Sequence, residues 1–308
     1  MRRISVFGLG TALLAVAAMA ACEDGGQRVS APAAALASAQ QDLDGTPDLV
    51  PDPHKLAATW VIMEEEFVEG QCSVEEGNIP TGRHRSLRFS VLINNMGDAD
   101  LYVGDPLKHM DPNGDGNFDD QDGLFEFGSC HKHFHFRNYA TYDLLRVNAD
   151  GSLGSPVQSR KRGFCMLDTT PWKNDNAVPG PMYYRNCGNL TRSGNQGIST
   201  GYGDEYHLTL PGQLFLLTDP HEPVAPGKYV IRVTANPPIV PQAGEVCPAK
   251  DARGFCHMFA ESNYDNNVAE VLIEVPDRVG RTGYGPGAGK FTGEALDPHH
   301  HPEAHGKH

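Results

Sequence analysis

Three histidines stand at alternate positions in the run Cys130-His131-Lys132-His133-Phe134-His135. If this run is a β-strand, side chains two residues apart point to the same face, so the imidazoles of His131, His133 and His135 converge. Neutral imidazoles are ligands for borderline metals, and we expect copper or zinc here rather than calcium or magnesium. A blue-copper site is not expected, because it needs a thiolate and Cys130 would point to the opposite face.

A second set of ligand-type side chains is acidic and lies in the segment 111–122. Its oxygen-bearing residues are spaced as in a calcium loop of EF-hand type, with Gly116 at the sixth position. Asp122 replaces the usual Glu at the last position, and we expect no helix beside the loop. Calcium is the preferred interpretation, and a merely acidic turn is the alternative. The oxygen-bearing residues are Asp111, Asn113, Asp115, Asn117, Asp119 and Asp122.

The elements that must position these groups are short β-type runs separated by Gly, Pro, Asn and Asp. Helical spacing is nearly absent, and the single competitor is Leu56 to Phe67, where a strand stays an alternative. We therefore predict an all-β fold, an antiparallel β-sandwich with long loops and little helix. The strongest predicted strands are Arg85–Asn94, Lys132–Val147, Gln213–Thr218, Lys228–Thr234 and Val268–Val275.

Both ends of the chain are predicted to lie outside the folded domain, which we place at 47–286. Residues 1–22 have the charge, apolar run and small residues of an export signal. Their ending at Cys22 is similar to the lipobox of bacterial lipoproteins, so we expect lipidation of Cys22 at a cell envelope, with simple secretion as the alternative. Residues 23–46 are predicted to be a tether. Residues 287–308 are predicted to be a flexible His-rich tail that either binds metal loosely or stays disordered.

Six cysteines follow Cys22, and an even count in an exported protein indicates disulfides rather than free thiols. Cys247 and Cys256 close the shortest loop and form the easiest pair to accept. The other two bridges stay open at this level, because six cysteines allow fifteen pairings in all.

The charge of the chain excludes one class of partner. There are 25 Lys and Arg against 39 Asp and Glu, for a formal net charge of -14. A nucleic-acid-binding protein would show a basic face, so no nucleic-acid partner is expected. No membrane contact is expected either, apart from the N-terminal lipid.

Several ordered blocks of sequence resemble the lysyl oxidase family, over about residues 47 to 284. The central block is Phe125 to His135, followed by Tyr142-Asp143-Leu144-Leu145. The other blocks, in the family's order, are Pro47 to Pro53, Lys161 to Cys165, Gln196 to Ser199, Pro226 to Tyr229 and Glu261 to Asn267.

The resemblance implies a copper amine oxidase. It assigns the three histidines to Cu(II), and it places Lys161 and Tyr206 as the two halves of a lysine tyrosylquinone cofactor, with Tyr202 as a nearby tyrosine of the wrong register. Such an enzyme uses dioxygen to convert a primary amine to an aldehyde, with release of hydrogen peroxide and ammonia. Peptidyl lysine, polyamines and other small amines all stay open as substrates. Without the resemblance, Lys161 would be read as a surface cation and Tyr206 as an aromatic residue at a strand end.

The resemblance also implies further structure. It pairs Cys72 with Cys130 and Cys165 with Cys187. It further implies a second calcium site, made by Asp48, the Leu49 carbonyl, Glu261, Asn263, Asn266 and Asn267.

Two positions depart from the pattern of the animal enzymes. Gly128 and Thr141 stand where those enzymes carry further histidines, so the base that removes the substrate proton is not assigned. Two alternatives to the enzyme stay open. One is a non-enzymatic copper-binding or copper-storage protein, and the other is a calcium-dependent cell-surface adhesion module.

Overall fold

The computed structural model of the protein describes residues 28–29, 45–161, 163–172, 181–241, 247–291 and 293–294. Within these ranges the helices are short: α1 (Pro53–Thr59), α2 (Cys72–Glu75) and α3 (Leu107–Met110). The first strands are β1 (Arg28–Val29), β2 (Leu49–Pro51), β3 (Val61–Phe67), β4 (Gly82–Arg88), β5 (Val91–Asn95), β6 (Leu101–Gly104), β7 (Phe125–Gly128), β8 (His133–Phe136), β9 (Ala140–Val147) and β10 (Leu153–Gln158). The later strands are β11 (Thr170–Pro171), β12 (Gln196–Ile198), β13 (Tyr202–Tyr206), β14 (Leu214–Leu216), β15 (Gly227–Ala235), β16 (Val240–Pro241), β17 (Ala249–Lys250), β18 (Cys256–His257) and β19 (Val268–Val275).

Two four-stranded antiparallel sheets form the body of the domain, in the orders β10-β9-β15-β19 and β11-β13-β5-β2. Their apolar side chains belong to one core cluster, which includes Ile231 and Ile273 from the first sheet and Ile93 and Tyr206 from the second. The predicted all-β fold with little helix is therefore confirmed. In β15 buried and partly exposed residues alternate, as expected for a strand with one face on the core.

The predicted strands are correct in position, and all but one differ from the prediction in extent. The prediction for Val268–Val275 agrees with β19 to the residue. Arg85–Asn94 divides into β4 and β5, and Lys132–Val147 divides into β8 and β9. Each break lets the chain pass from one sheet to another.

The ambiguous segment Leu56–Phe67 contains both structures that were considered. Helix α1 begins after Asp52, whose carboxylate accepts hydrogen bonds from the backbone N–H groups of His54 and Lys55. The helix ends before Trp60, and β3 starts directly afterwards.

The two strands nearest the candidate metal ligands form a separate hairpin. Strand β7 pairs antiparallel with β8, so that Gly128 lies opposite His133. Next, β8 is bonded to the following segment through two backbone hydrogen bonds between Phe136 and Phe164. Cys165, the next residue, accepts a hydrogen bond of 3.1 Å from the Tyr206 hydroxyl through its carbonyl oxygen. Hydrogen bonds through Phe164 and Cys165 thus connect the hairpin to Tyr206 on the central strand β13.

The first residues of the predicted tail pack on the domain. The guanidinium of the fully buried Arg88 lies 4.6 Å from the Phe291 ring centroid and 3.4 Å from a Glu294 oxygen. Glu294 also accepts hydrogen bonds from the backbone and the hydroxyl of Ser73. The prediction of a flexible tail that starts at residue 287 is therefore wrong for Phe291 and Glu294.

This packing leads to a stability prediction. A chain that ends at Pro286 should lose about 1–3 kcal/mol of unfolding free energy, because Arg88 keeps its partner Glu65 but loses Glu294 and Phe291. A chain that ends at Leu296 is the control, and it should match the full chain in urea unfolding. Equal stability of all three chains would contradict the prediction.

Candidate active site

The three histidines converge, but not along one strand as predicted. His133 and His135 lie on β8, whereas His131 lies in the preceding turn. That turn depends on Lys132, which has a positive φ of 58° and whose N–H donates to the carbonyl of Gly128 at 2.7 Å. The turn brings the His131 ring to 5.5 Å from His133 and 4.9 Å from His135, centroid to centroid.

The residues fit a copper ion by their chemistry. The Nε2 atoms of His133 and His135 are 3.0 Å apart, close to the separation of two nitrogens that each bind one metal at about 2.0 Å. The Nε2 atom of His131 is buried without a hydrogen-bond partner. Burial, with the neighbouring histidines and Lys161, holds the pKa of His135 well below its usual range, so this ring is in the neutral form that binds metals.

The three histidine rings are neighbours, with centroids 4.7 to 5.5 Å apart. In the described ranges, no group of three or more His, Cys, Asp or Glu side chains is arranged to hold a metal ion. The three rings are therefore close neighbours whose chemistry suits a metal ion.

Lys161 and Tyr206 lie next to each other beside the histidines. The Lys161 Nζ atom is 5.3 Å from the centroid of the Tyr206 ring and 5.8 Å from that of Phe164. Tyr202, the alternative tyrosine, lies at the other end of β13, where it pairs with Pro171. The structure thus brings the distant residues 161 and 206 together.

The surroundings of the pair change its acid–base properties. Burial lowers the pKa of Lys161 to about 8, against the opposing influence of Asp204, Glu76 and Glu126. Burial and Asp204 raise the pKa of the Tyr206 hydroxyl well above its usual range. At neutral pH the amine therefore gives up its proton far more easily than an ordinary lysine does.

Asp204 is the buried acid of this region. Its side chain is on the same face of β13 as Tyr206, two residues away, and it is fully buried. Neither carboxylate oxygen has a hydrogen bond of regular geometry, although the Tyr206 hydroxyl and the Leu167 backbone are close enough to lower its pKa. Burial outweighs them and raises the pKa of Asp204 well above the normal value.

Two clefts meet at Lys161 and Glu126. The first, of about 280 Å³, contains His131 and His135 together with Glu76. The second, of about 550 Å³, is lined by Thr141, Tyr142, Gln158 and other polar residues. Small molecules can therefore approach Lys161 from two directions. The carboxylates of Glu76 and Glu126 are offset in these walls by the guanidinium groups of Arg160 and Arg137.

The disulfide pairings are as predicted. Cys72 is bonded to Cys130, Cys165 to Cys187, and Cys247 to Cys256. The first disulfide fixes α2 beside the turn that carries His131, which we call the histidine turn. The second fixes Cys165, whose carbonyl contacts Tyr206. Both therefore support the walls of the site.

The residues of the second predicted calcium site meet at the start of the domain. Glu261 accepts hydrogen bonds from the Leu49 backbone and from the amides of Asn236 and Asn267. Asn266 donates to both oxygens of Asp48. Asn263 differs, because it is exposed and accepts a hydrogen bond from the Asp265 backbone within its own turn.

Without a cation, the ionised form of Glu261 in this cluster is unfavourable. Burial raises the pKa of Glu261 to about 8, and the nearby Asp48 carboxylate adds to that effect. The side-chain oxygens of Asn266 and Asn267 are buried without hydrogen-bond partners. Two carboxylates and two free amide oxygens are the donor set that a calcium ion prefers.

The acidic loop folds partly as an EF-hand-type loop does. Oxygens of Asp111, Asn113 and Asp115 accept hydrogen bonds from backbone N–H groups of residues 115–117, so they turn inward. Asp122 instead contacts His109 and the Leu124 backbone. The expectation that no helix adjoins the loop was wrong, since α3 ends directly before Asp111. Asn117 and Asp119 are exposed, as are Asn113 and Asp115.

Sequence reasoning missed two carboxylates of the site, Glu76 and Glu126. Glu76 contacts His131 although 55 residues separate them. The implied disulfide between Cys72 and Cys130 could have revealed it, because that bond brings the residues after Cys72 close to the histidines.

Fold and site together define an all-β protein with a histidine-lined cleft beside a partly buried lysine and a buried tyrosine. The lysyl oxidase family model matches residues 47–246, and the chain belongs to that family. It is similar to protein-lysine 6-oxidase of Gallus gallus, with 25% identity over 240 residues that cover 74% of this chain and 45% of the relative. The corresponding protein of Sus scrofa is 25% identical over 240 residues, which are 74% of this chain and 76% of the relative.

A further relative is lysyl oxidase homolog 1 of Homo sapiens, which is 27% identical over 250 residues, or 76% of this chain and 34% of that protein. The chain thus spans less than half the length of the chicken and human relatives.

The predicted tether 23–46 is wrong for Arg28 and Val29, which form β1 and pair parallel with β16. The predictions for Cys22 and for the histidines of residues 297–308 lie outside the described residues. In the described ranges, no helix is long and apolar enough to cross a membrane.

Proposed function

We propose that this protein is a copper-dependent amine oxidase that oxidises primary amines through a lysine tyrosylquinone formed from Lys161 and Tyr206. The observation that carries the proposal is the position of the Lys161 Nζ atom, 5.3 Å from the Tyr206 ring and in the same cleft as His131 and His135. Relatives named protein-lysine 6-oxidase support the same class of reaction.

His131, His133 and His135 would hold Cu(II). Copper with dioxygen would supply the oxidation that converts the Tyr206 phenol to a quinone, and the cross-linked quinone would supply the electron acceptor for amine oxidation. Amine, dioxygen and water then balance aldehyde, ammonia and hydrogen peroxide.

The remaining work falls to the chain itself. The lowered pKa of Lys161 makes a neutral amine available to attack the ring. Phe164 packs edge-on to Tyr206, at 5.1 Å and 90°, and the Cys165 carbonyl holds its hydroxyl. These contacts fix the ring against which Lys161 must react.

Two observations support a cationic amine as the substrate. The net charge of the chain is -14, and relatives are named protein-lysine 6-oxidase. We therefore propose lysine-containing peptides or polyamines as substrates, attracted by the negative charge of the chain.

Peptide mass spectrometry on copper-loaded mature protein tests the function. The expected result is a joined fragment that contains the Lys161 and Tyr206 peptides at the mass of the quinone. Separate peptides at full copper occupancy would contradict the proposal and would favour copper storage or adhesion.

We also propose that calcium binds beside Asp48 and Glu261, and a second ion in the loop of Asp111, Asn113 and Asp115. At a calcium concentration of 100 times Kd, binding adds about 2.7 kcal/mol per site, which raises Tm by about 5–10 °C. Asp48→Asn should lose a large part of that rise, whereas Asp265→Asn, an exposed acid in the same loop as Asn266, should keep it. Melting curves with calcium or with a chelator measure both, and an equal rise in both variants would contradict the site at Asp48.

For the location, we propose export followed by attachment through Cys22. The three disulfides support an oxidising compartment. The mass of the mature N-terminal peptide tests the lipid, and an unmodified peptide would leave secretion.

A further inference from the structure

We propose that Glu76 is a positioning residue that fixes the orientation of His131 for the metal, and that the missing side chain at Gly128 provides the space for this contact. The inference rests on the metal site of the proposed function. It adds a residue outside the histidine run.

The Glu76 carboxylate contacts the histidine turn through both of its oxygens. One oxygen accepts hydrogen bonds from the Cys130 N–H at 2.6 Å and from the His131 N–H at 3.3 Å. The other lies against the His131 Nδ1 atom. One carboxylate therefore holds both the backbone and the ring of His131.

These contacts determine which nitrogen of His131 can bind a metal. An ionised carboxylate only accepts hydrogen bonds, so Nδ1 must carry the hydrogen in this pair. The lone pair of the neutral ring is then on Nε2, the atom that is buried without a partner beside the other two rings. A carboxylate behind a metal-binding histidine commonly fixes the ring in this way.

Gly128 explains how the carboxylate reaches its position. A Cβ atom there would lie 2.9 Å from His135 Cε1, 3.2 Å from His131 Cβ and 3.3 Å from a Glu76 oxygen. Any larger side chain would displace at least one of the three. The absence of a side chain at Gly128 therefore leaves the space beside the Glu76 carboxylate and the two histidines.

The Cys72–Cys130 disulfide gives the arrangement a fixed frame. Glu76 follows α2 directly, and α2 begins at Cys72. His131 follows Cys130. The carboxylate and the histidine are therefore each attached close to the same covalent bond.

A purely structural role makes a different prediction. If Glu76 only held the turn, its removal would lower the stability of the apoprotein. It would not change the affinity for copper or the spectrum of the bound ion.

The experiment uses the mature protein with its disulfides formed, and the variants Glu76→Ala and Glu76→Gln. Glu75→Gln is the matched control, because Glu75 is exposed and carries the same charge one residue earlier. Copper affinity is measured by competition with a chelator, and Cu(II) electron paramagnetic resonance reports the ligand field. Melting of each apoprotein separates loss of folding from loss of binding.

We expect Glu76→Ala to weaken copper binding about 10- to 100-fold and to change the copper hyperfine coupling. Glu76→Gln should lie between Ala and wild type, since its amide oxygen can still accept from Nδ1–H. Gly128→Ala should weaken binding as well, through crowding of the His135 ring. Glu75→Gln should bind as wild type does.

Unchanged affinity and an unchanged spectrum in Glu76→Ala would overturn the inference. A second readout needs no copper: nitrogen-15 NMR of the apoprotein should show His131 protonated at Nδ1 in wild type and not held in that form in Glu76→Ala. The same tautomer mixture in both proteins would also overturn it. A wild-type protein that binds copper but forms no Lys161–Tyr206 link would refute the enzyme while leaving the role of Glu76 intact.

Discussion

Replacing Tyr206 by Phe should abolish both the cross-link and the turnover of amines, because a ring without the hydroxyl cannot become the quinone. The expected loss of activity is more than 10³-fold. The change removes the hydrogen bond to the Cys165 carbonyl and the contact with Asp204, and should cost about 1–3 kcal/mol of stability. Peptide mass spectrometry and a hydrogen peroxide assay measure the two effects.

Tyr202→Phe is the matched control for this experiment. Both tyrosines are buried on the same face of β13, but the Lys161 amine lies over the ring of Tyr206. The control should keep the cross-link and most of the activity. A cross-link that survives in Tyr206→Phe, or that disappears in Tyr202→Phe, would show that the wrong tyrosine was assigned.

Cross-link formation should also depend strongly on pH, since the attacking amine must be neutral. With a Lys161 pKa of about 8, only about 1% of the amine is neutral at pH 6 and about half at pH 8. The rate should rise about tenfold per pH unit up to pH 8 and then level off. The measurement starts from apoprotein that is saturated with copper at each pH, so that histidine protonation does not limit loading.

The variant Asp204→Asn should shift the midpoint of this pH profile in a known direction. The Asp204 carboxylate raises the pKa of Lys161 against the larger effect of burial, as Glu76 and Glu126 also do. Its removal should lower the midpoint of the pH profile, and a merely structural change would leave the midpoint where it is. A midpoint near 10 in wild type would contradict the buried environment of Lys161.

The strands of the fold were predictable because their patterns are local. Strand β19 has bounds identical to the prediction, because it is a continuous run rich in β-branched and other apolar residues. The breaks within longer runs were not predictable, because they depend on which sheet the chain joins next. The same applies to Phe291 and Glu294, which look like linker residues until the buried Arg88 is placed beside them.

The site was only partly accessible from the sequence. The spacing of the histidines pointed to convergence, but the mechanism was different, since Lys132 adopts a positive φ where a strand was expected. No periodicity relates Lys161 to Tyr206, and their pairing came from the resemblance to a family. Glu76 depends on a contact between distant segments, which a local pattern does not contain. Asp204 is a sequence neighbour of Tyr206, but its raised pKa depends on burial.

If copper and the quinone form as proposed, the bond between Cys72 and Cys130 would give the maturation of the protein an order in time. In the unfolded chain it closes a loop of 58 residues, which is worth about 4 kcal/mol in chain entropy. It also keeps Glu76 close to His131, so reduction would release the two segments that carry them. Oxidation of the thiols would come first, copper uptake second and quinone formation last. A chain still inside a reducing compartment would then be kept from producing hydrogen peroxide there.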